Sequence, residues 1–171
     1  MRSAASVIGR FLLKATGVIT PVVALGILLG AVAGAAEVTR TAYKEAAEPI
    51  CRSNTQANER ILAGVRTEVK RGELRRAAGR FERAATALHR TLGELRQVPR
   101  PPADRARLSR WLGFVAAEVE LLEKTAAYLD AGEKGSAGGM VVRLESVASR
   151  ANNAVFAFEF EDCRLDPARF A

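Results

Sequence analysis

The chain has 171 residues and a formal charge of +7, from 26 Lys and Arg against 19 Asp and Glu. Only 6% of it is aromatic while 26% is charged, with Ala, Leu, Arg and Glu abundant, a balance that excludes both a β-sandwich and a disordered chain. Setting aside an apolar N-terminal piece, the length suits one domain with a single core.

Residues 1–14 form a basic N-terminus carrying Arg2, Arg10 and Lys14, followed by an uncharged stretch from Ala15 to Ala36. That stretch is long enough to cross a hydrocarbon core of about 30 Å as a helix, since each residue rises about 1.5 Å. It is expected to be a transmembrane helix or signal anchor. The flanking cations then stay in the cytoplasm and everything after Glu37 lies outside the membrane. The triplet Ala33-Gly34-Ala35 matches a signal-peptidase site, so secretion after cleavage near Ala35 is the alternative.

Residues 37–48 read as a polar connector, and residues 49–171 as an all-α, extracytoplasmic domain of four helices. Pro49 suits a first helical turn, and the first pattern runs to about Lys70, where Gly72 interrupts it. In the second helix Leu74, Ala78, Phe81, Ala85, Leu88, Leu92 and Leu95 alternate spacings of four and three and so share one stripe. The run Val98-Pro99-Arg100-Pro101-Pro102 stops it. Leu108, Leu112, Val115, Val119, Leu122, Ala126 and Leu129 repeat the rhythm in a third helix, widened by Trp111 and Phe114. After a flexible connection from Gly132 to Gly139, a fourth stripe holds Val141, Leu144, Ala148, Ala151, Val155 and Phe158.

Helices with such short connections pack antiparallel to their neighbours, giving an up-down-up-down four-helix bundle. Its first and last helices then place Cys51 and Cys163 at one end, and export puts both in an oxidising space, so a disulfide between them is expected. The same packing brings Asn58 to the layers of Asn152 and Asn153. These amides pair to fix the register of helices one and four, or else line a polar pocket for a small ligand.

From Arg66 to Arg110 there are thirteen Lys or Arg against five acids, whereas Trp111 to Ala171 holds six against ten. Arg75, Arg76, Arg80 and Arg83 lie off the apolar stripe of the second helix, a face suited to anionic lipid or an acidic envelope polymer. A solvated face neutralised by Glu118, Glu120 and Glu123 of the third helix explains the same pattern. Nucleic acid is not an expected partner, because no aromatic residues interleave with the arginines for stacking. No catalytic residue, metal ligand set or cofactor is assigned. His89 lacks the Glu-x-x-His partners of a di-iron bundle, and no Cys-x-x-Cys-His run exists for haem. No acid–base pair can be argued around the carboxylates, so the chain is not read as an enzyme.

The order Ile50-Cys51-Arg52, Ala57-Asn58, PPADRARLSRWL from Pro101 to Leu112, Ala151-Asn152-Asn153 and Phe158 to Cys163 resembles an uncharacterised group of small bacterial envelope proteins. Those are exported helical domains, often lipoproteins, with one cysteine near each end. The resemblance implies the bundle and its terminal disulfide, although this chain has no lipobox cysteine. The expected role is an interaction or structural module of the cell envelope, held at the membrane and partnered by another envelope protein. The alternative is a small-ligand carrier or sensor that uses the bundle interior, and a cavity of a few hundred Å³ discriminates it from a filled core.

Overall fold

The computed structural model describes residues 37–166. The expected membrane helix or cleaved signal at 15–36 lies outside the described residues, among which no helix is long and apolar enough to cross a membrane. The described chain is all-helical: α1 (Arg40–Leu62), α2 (Val65–Lys70), α3 (Leu74–Gln97), α4 (Arg105–Asp130) and α5 (Lys134–Ala154).

The stretch expected to be a connector is largely helix. Thr39 caps α1 by accepting a hydrogen bond from the Ala42 N–H at 3.1 Å, which starts the helix more than two turns ahead of Pro49. Pro49 therefore sits inside the helix, where it removes one backbone donor. Tyr43, Ala47 and Cys51 recur every four residues and are buried on either side of it, so packing carries the helix through an exposed proline. The first helix ends at Leu62, short of the expected Lys70. The one-and-a-half turns of α2 follow the break at Ala63 and Gly64.

Two turns reverse the chain by the same device. Gly72 and Gly132, at φ +79° and +80°, occupy the left-handed region that glycine enters without strain. Their N–H groups bond to Val69 and Leu129, and the next N–H groups, of Glu73 and Glu133, reach back to Glu68 and Tyr128. These are Schellman closures, which satisfy the last carbonyls of α2 and α4.

The apolar stripes of α3 and α4 are buried as their spacing predicts, with Leu74 alone half-covered. The fourth stripe is shifted. Helix α5 starts at Lys134, so Gly135, Gly138 and Gly139 lie within it rather than in a loose connection. Each costs about 1 kcal/mol relative to Ala. Burial of Ala137 and Met140 in the first two turns opposes that cost. At its other end α5 stops at Ala154, before Val155 and Phe158, which are buried but belong to a tail that opens with a single 3-10 turn, Phe156–Phe158.

The four long helices pack in chain order: α1 on α3, α3 on α4, and α4 on α5. The fourth seam of a closed bundle, α1 against α5, is not a close helix pair. Instead the tail from Val155 to Asp166 enters it at the end where Arg40 meets Asp104.

That end is held by aromatic packing and polar clamps. Phe158 stacks on Phe160 at 5.3 Å and meets the edge of Tyr43 at 5.7 Å, while Trp111 stacks on Phe160 at 5.4 Å. The Arg40 guanidinium grips buried Asp104 with bonds of 2.6 and 2.9 Å, tying the start of α1 to the α3–α4 connection. These bonds hold the Asp104 carboxyl below its usual range. Further along α1 the buried Glu48 carboxylate accepts from two successive tail N–H groups, of Glu161 and Asp162, and Arg52 pairs with Asp162 at 2.7 Å.

The expected disulfide is present between Cys51 and Cys163. It does not join two helix ends. Cys51 lies midway along α1 and Cys163 in the tail, so the bridge staples the tail onto the helix. In the chain-entropy model, closing a loop across 112 positions stabilises by about 4–5 kcal/mol.

Candidate functional site: an open seam between the first and last helices

Below the disulfide the tail no longer fills the seam. There α1 and α5 stand apart over the floor formed by α3 and α4, leaving a cleft of about 520 Å³. Helices α1 and α2 contribute Leu62, Val65 and Val69 to its wall, α3 contributes Phe81 and Leu88, and α4 contributes Leu122 and Leu129. Ala137, Val141 and Leu144 of α5 close the opposite side, and Leu165 of the tail covers one end. The volume falls in the range of sites for drug-sized ligands, roughly 300–1,000 Å³.

Two buried polar side chains interrupt this apolar surface. Asn58 and Glu118 are each 5% exposed, and Asn58 Oδ1 and Glu118 Oε1 have no hydrogen-bond partner. Burial pushes the Glu118 carboxyl up to about 8, so it is largely protonated at neutral pH and presents a donor. Thr125 also lines the cleft, but its hydroxyl is satisfied by the Leu121 carbonyl at 2.7 Å. An unpaired acceptor and an unpaired carboxylic acid, both buried within the walls of one apolar space, are costly to the fold.

No protein-family model, curated protein or solved structure matches the chain.

Glu118 overturns its sequence reading as part of a solvated acidic face. Glu120 and Glu123 are exposed as expected, yet Glu118 is not. Trp111, Val115, Glu118, Leu122, Thr125 and Leu129 follow the same four-three rhythm as the apolar stripe, and that spacing was the available signal.

The three asparagines do not pair. Asn58 donates to Asn54 of its own helix at 3.4 Å, a long bond. Asn152 exchanges two bonds with the Leu165 backbone, donating at 2.8 Å and accepting at 2.9 Å. Asn153 is exposed. Of the three, only Asn58 lines the cleft, while Asn152 acts indirectly by holding the tail segment that forms the cleft's upper edge.

The four arginines of α3 also divide. Arg80 is half-buried and donates through Nε to both oxygens of Glu68 at 2.9 and 2.8 Å, and through Nη1 to the Ile61 carbonyl at 2.8 Å. Arg76 reaches Glu68 and Glu73 at 3.4 Å. These two arginines dock α2 onto α3. Arg75 and Arg83 are exposed and, among the described residues, form no ion pair, so the free basic face is half the expected size. Among the described residues no group of three or more His, Cys, Asp or Glu side chains is placed to hold a metal ion.

Proposed function

We propose that the domain is a small-ligand carrier or sensor, with the cleft between α1 and α5 as its binding site. The observation that carries this reading is the coincidence of an apolar cavity of about 520 Å³ with two unpartnered, buried polar atoms on its walls. A fold selected only for rigidity gains by closing such a seam, because filling a cavity and removing an orphaned polar group each stabilise. In this reading the ligand completes the fourth side of the bundle below the stapled tail.

The domain works outside the cytoplasmic membrane, held there by residues 15–36. The disulfide supports that placement, since such bridges persist in oxidising compartments. The resemblance to small envelope proteins agrees with it. The interaction-module reading has less behind it. Val142 and Phe156, 65% and 83% exposed, are the large apolar side chains left in solvent among the described residues, and single exposed residues are ordinary.

The test uses the full-length protein in an amphipathic polymer with the neutral fluorophore 1-aminoanthracene, subtracting the empty polymer. A saturable, one-to-one fluorescence increase is expected, and it should vanish in Gly138→Trp. Gly138 lines the cleft, and a Cβ built there meets nothing within 4 Å, so a large side chain can be attached at the cleft wall without a clash at its root. Saturable binding that Gly138→Trp leaves intact would remove the cleft from consideration.

A further inference from the structure

The charges around the cleft are unbalanced in a way that specifies its guest. Arg66, Lys70, Lys134 and Arg164 line it, all four are exposed, and among the described residues none of them is in an ion pair. The acids that line it are the buried Glu118 and Asp166 of the tail. Three of the cations gather at one mouth. Arg66 and Lys70 belong to α2, and Lys134 is the first residue of α5, just after the Gly132 turn. Between that mouth and the Asn58–Glu118 layer the walls are Leu62, Val65, Val69, Leu122, Leu129 and Ala137, with no charged group among them.

We propose that the occupant is a long-chain fatty acid, its chain lying in the apolar cleft and its carboxylate at the Arg66, Lys70 and Lys134 mouth. The inference rests on the ligand-binding reading above and names the ligand class. The cavity has room for one acyl chain rather than the two of a membrane phospholipid. Its cations stand on flexible apolar stems that can lie along the chain while their heads reach a carboxylate as charge-assisted donors.

Glu118 then acts on the chain rather than on the head. While its carboxyl is neutral an acyl chain covers it at little cost, and once ionised it resists being covered. The other charged groups facing the cleft are Arg66, Lys70, Lys134, Arg164 and Asp166. Affinity should therefore fall by about tenfold per pH unit above pH 8, with Glu118→Gln removing that slope.

The experiment adds palmitate labelled with carbon-13 at the carboxyl to the full-length protein and follows the bound carboxyl resonance. One bound signal at one equivalent is expected, with its titration shifted below that of free palmitate by the neighbouring cations. Replacing Arg66, Lys70 and Lys134 together by Gln should weaken binding at least tenfold and return the head-group titration toward the free value. All three are exposed, so the variant should keep its fold and disulfide. Gly138→Trp should abolish the signal. The proposal is overturned if no bound signal appears, if uncharged hexadecanol competes as well as palmitate, or if the triple variant binds unchanged. Binding seen only after deletion of residues 167–171 would assign the cleft to the chain's own terminus and also overturn it. Should 1-aminoanthracene bind while palmitate does not, the fatty acid is wrong and the cleft reading stands; should neither bind, both fall.

Discussion

The two halves of the α1–α5 seam differ in what fills them. At the Arg40 end the tail supplies Phe158, Phe160 and Cys163, and Lys44, Glu48, Arg52 and Thr55 of α1 all bond to residues 159–162, while the Tyr43 hydroxyl against the tail's rings has no partner. At the Gly72 end the same two helices face a void lined by aliphatic residues, with Asn58 and Glu118 left short of partners. The difference is informative because the helices, and the domain, are the same. A seam that can be stapled shut by a short tail has been closed over half its length. Each half keeps two unpartnered polar atoms, Tyr43 Oη and Trp111 Nε1 among the aromatic rings and Asn58 Oδ1 and Glu118 Oε1 at the cleft, but only the open half adds a cavity and an ionisable group. A cavity kept beside a buried ionisable carboxyl is the kind of costly arrangement expected where binding, rather than folding, accounts for the local residues.

The largest effect should come from unstapling the filled half. Cys51→Ser with Cys163→Ser, or reduction of the native bridge, is expected to lower unfolding free energy by about 2–5 kcal/mol. Denaturant titration with and without reductant measures it. Hydrogen exchange should show the loss concentrated in residues 155–166 and α1, with the α3–α4 pair keeping its protection. Uniform loss across all four helices would mean that the two halves are one cooperative unit and that the contrast drawn between them is geometric only.

In the open half the next effect belongs to Glu118, and its sign is opposite to that of most carboxylates. Its folded pKa is raised from 4.5 to about 8, so the folded state keeps a proton that the unfolded chain releases within that window. Stability should therefore fall as pH rises from about 5 to 8 and level off above, by an amount on the order of a few kcal/mol. Glu118→Gln should flatten this limb and raise the melting temperature at pH 8. Asp104 supplies the contrasting acid limb. Held low by Arg40, it contributes stability that is present above its unfolded pKa and lost as pH falls through its folded one. A melting profile of Glu118→Gln that still declines between pH 5 and 8 would show that Glu118 is not the group responsible.

The same contrast explains which parts of the molecule were legible in the sequence. The stripes of α3 and α4 are long, unbroken and bounded by prolines or glycine, so periodicity alone placed Leu74 to Leu95 and Leu108 to Leu129 on core faces. The disulfide was legible because only two cysteines exist and the connections are short. The start of α1 was not, since its buried face is three residues, Tyr43, Ala47 and Cys51, and Pro49 resembles a helix start. Helix α5 was blurred by glycines whose local preference is overruled by Ala137 and Met140. Nothing in the apolar pattern says that Val155 and Phe158 leave the helix and fold onto α1. Without the tail's path, neither the unfilled seam nor the isolation of Asn58 from Asn152 could be foreseen. Glu118 shares the spacing of the buried stripe, but glutamate is rarely buried, so its residue type points to the solvated face instead.

Where the two halves meet, Asn152 holds Leu165 through both of its amide groups. Asn152→Ala should cost about 1–2 kcal/mol, less than the disulfide, because it removes one side chain's pair of bonds and leaves the staple in place. Its more telling effect is local. The Leu165 amide should lose hydrogen-exchange protection, and the cleft's upper edge should loosen, weakening 1-aminoanthracene binding severalfold. Unchanged binding would separate the tail from the site and confine Asn152 to stability.

The smallest effect is expected outside the seam, at Arg75 and Arg83. Arg80 is the internal control: it closes α2 onto α3 through Glu68 and the Ile61 carbonyl, so Arg80→Gln leaves the buried Glu68 only the longer Arg76 contact at 3.4 Å and should cost about 2–3 kcal/mol. Arg75→Gln with Arg83→Gln removes the same formal charge per residue from solvent-facing positions, and should change stability by less than about 0.5 kcal/mol. Any role for these two is therefore at a surface. Full-length protein should bind anionic vesicles weakly at low salt, losing roughly fivefold in affinity per removed charge, with the effect fading as salt approaches physiological strength. Vesicle binding that is indifferent to the double variant would leave α3's outer face as solvated charge. It would also leave the cationic mouth of the cleft as the place where this domain meets an anion.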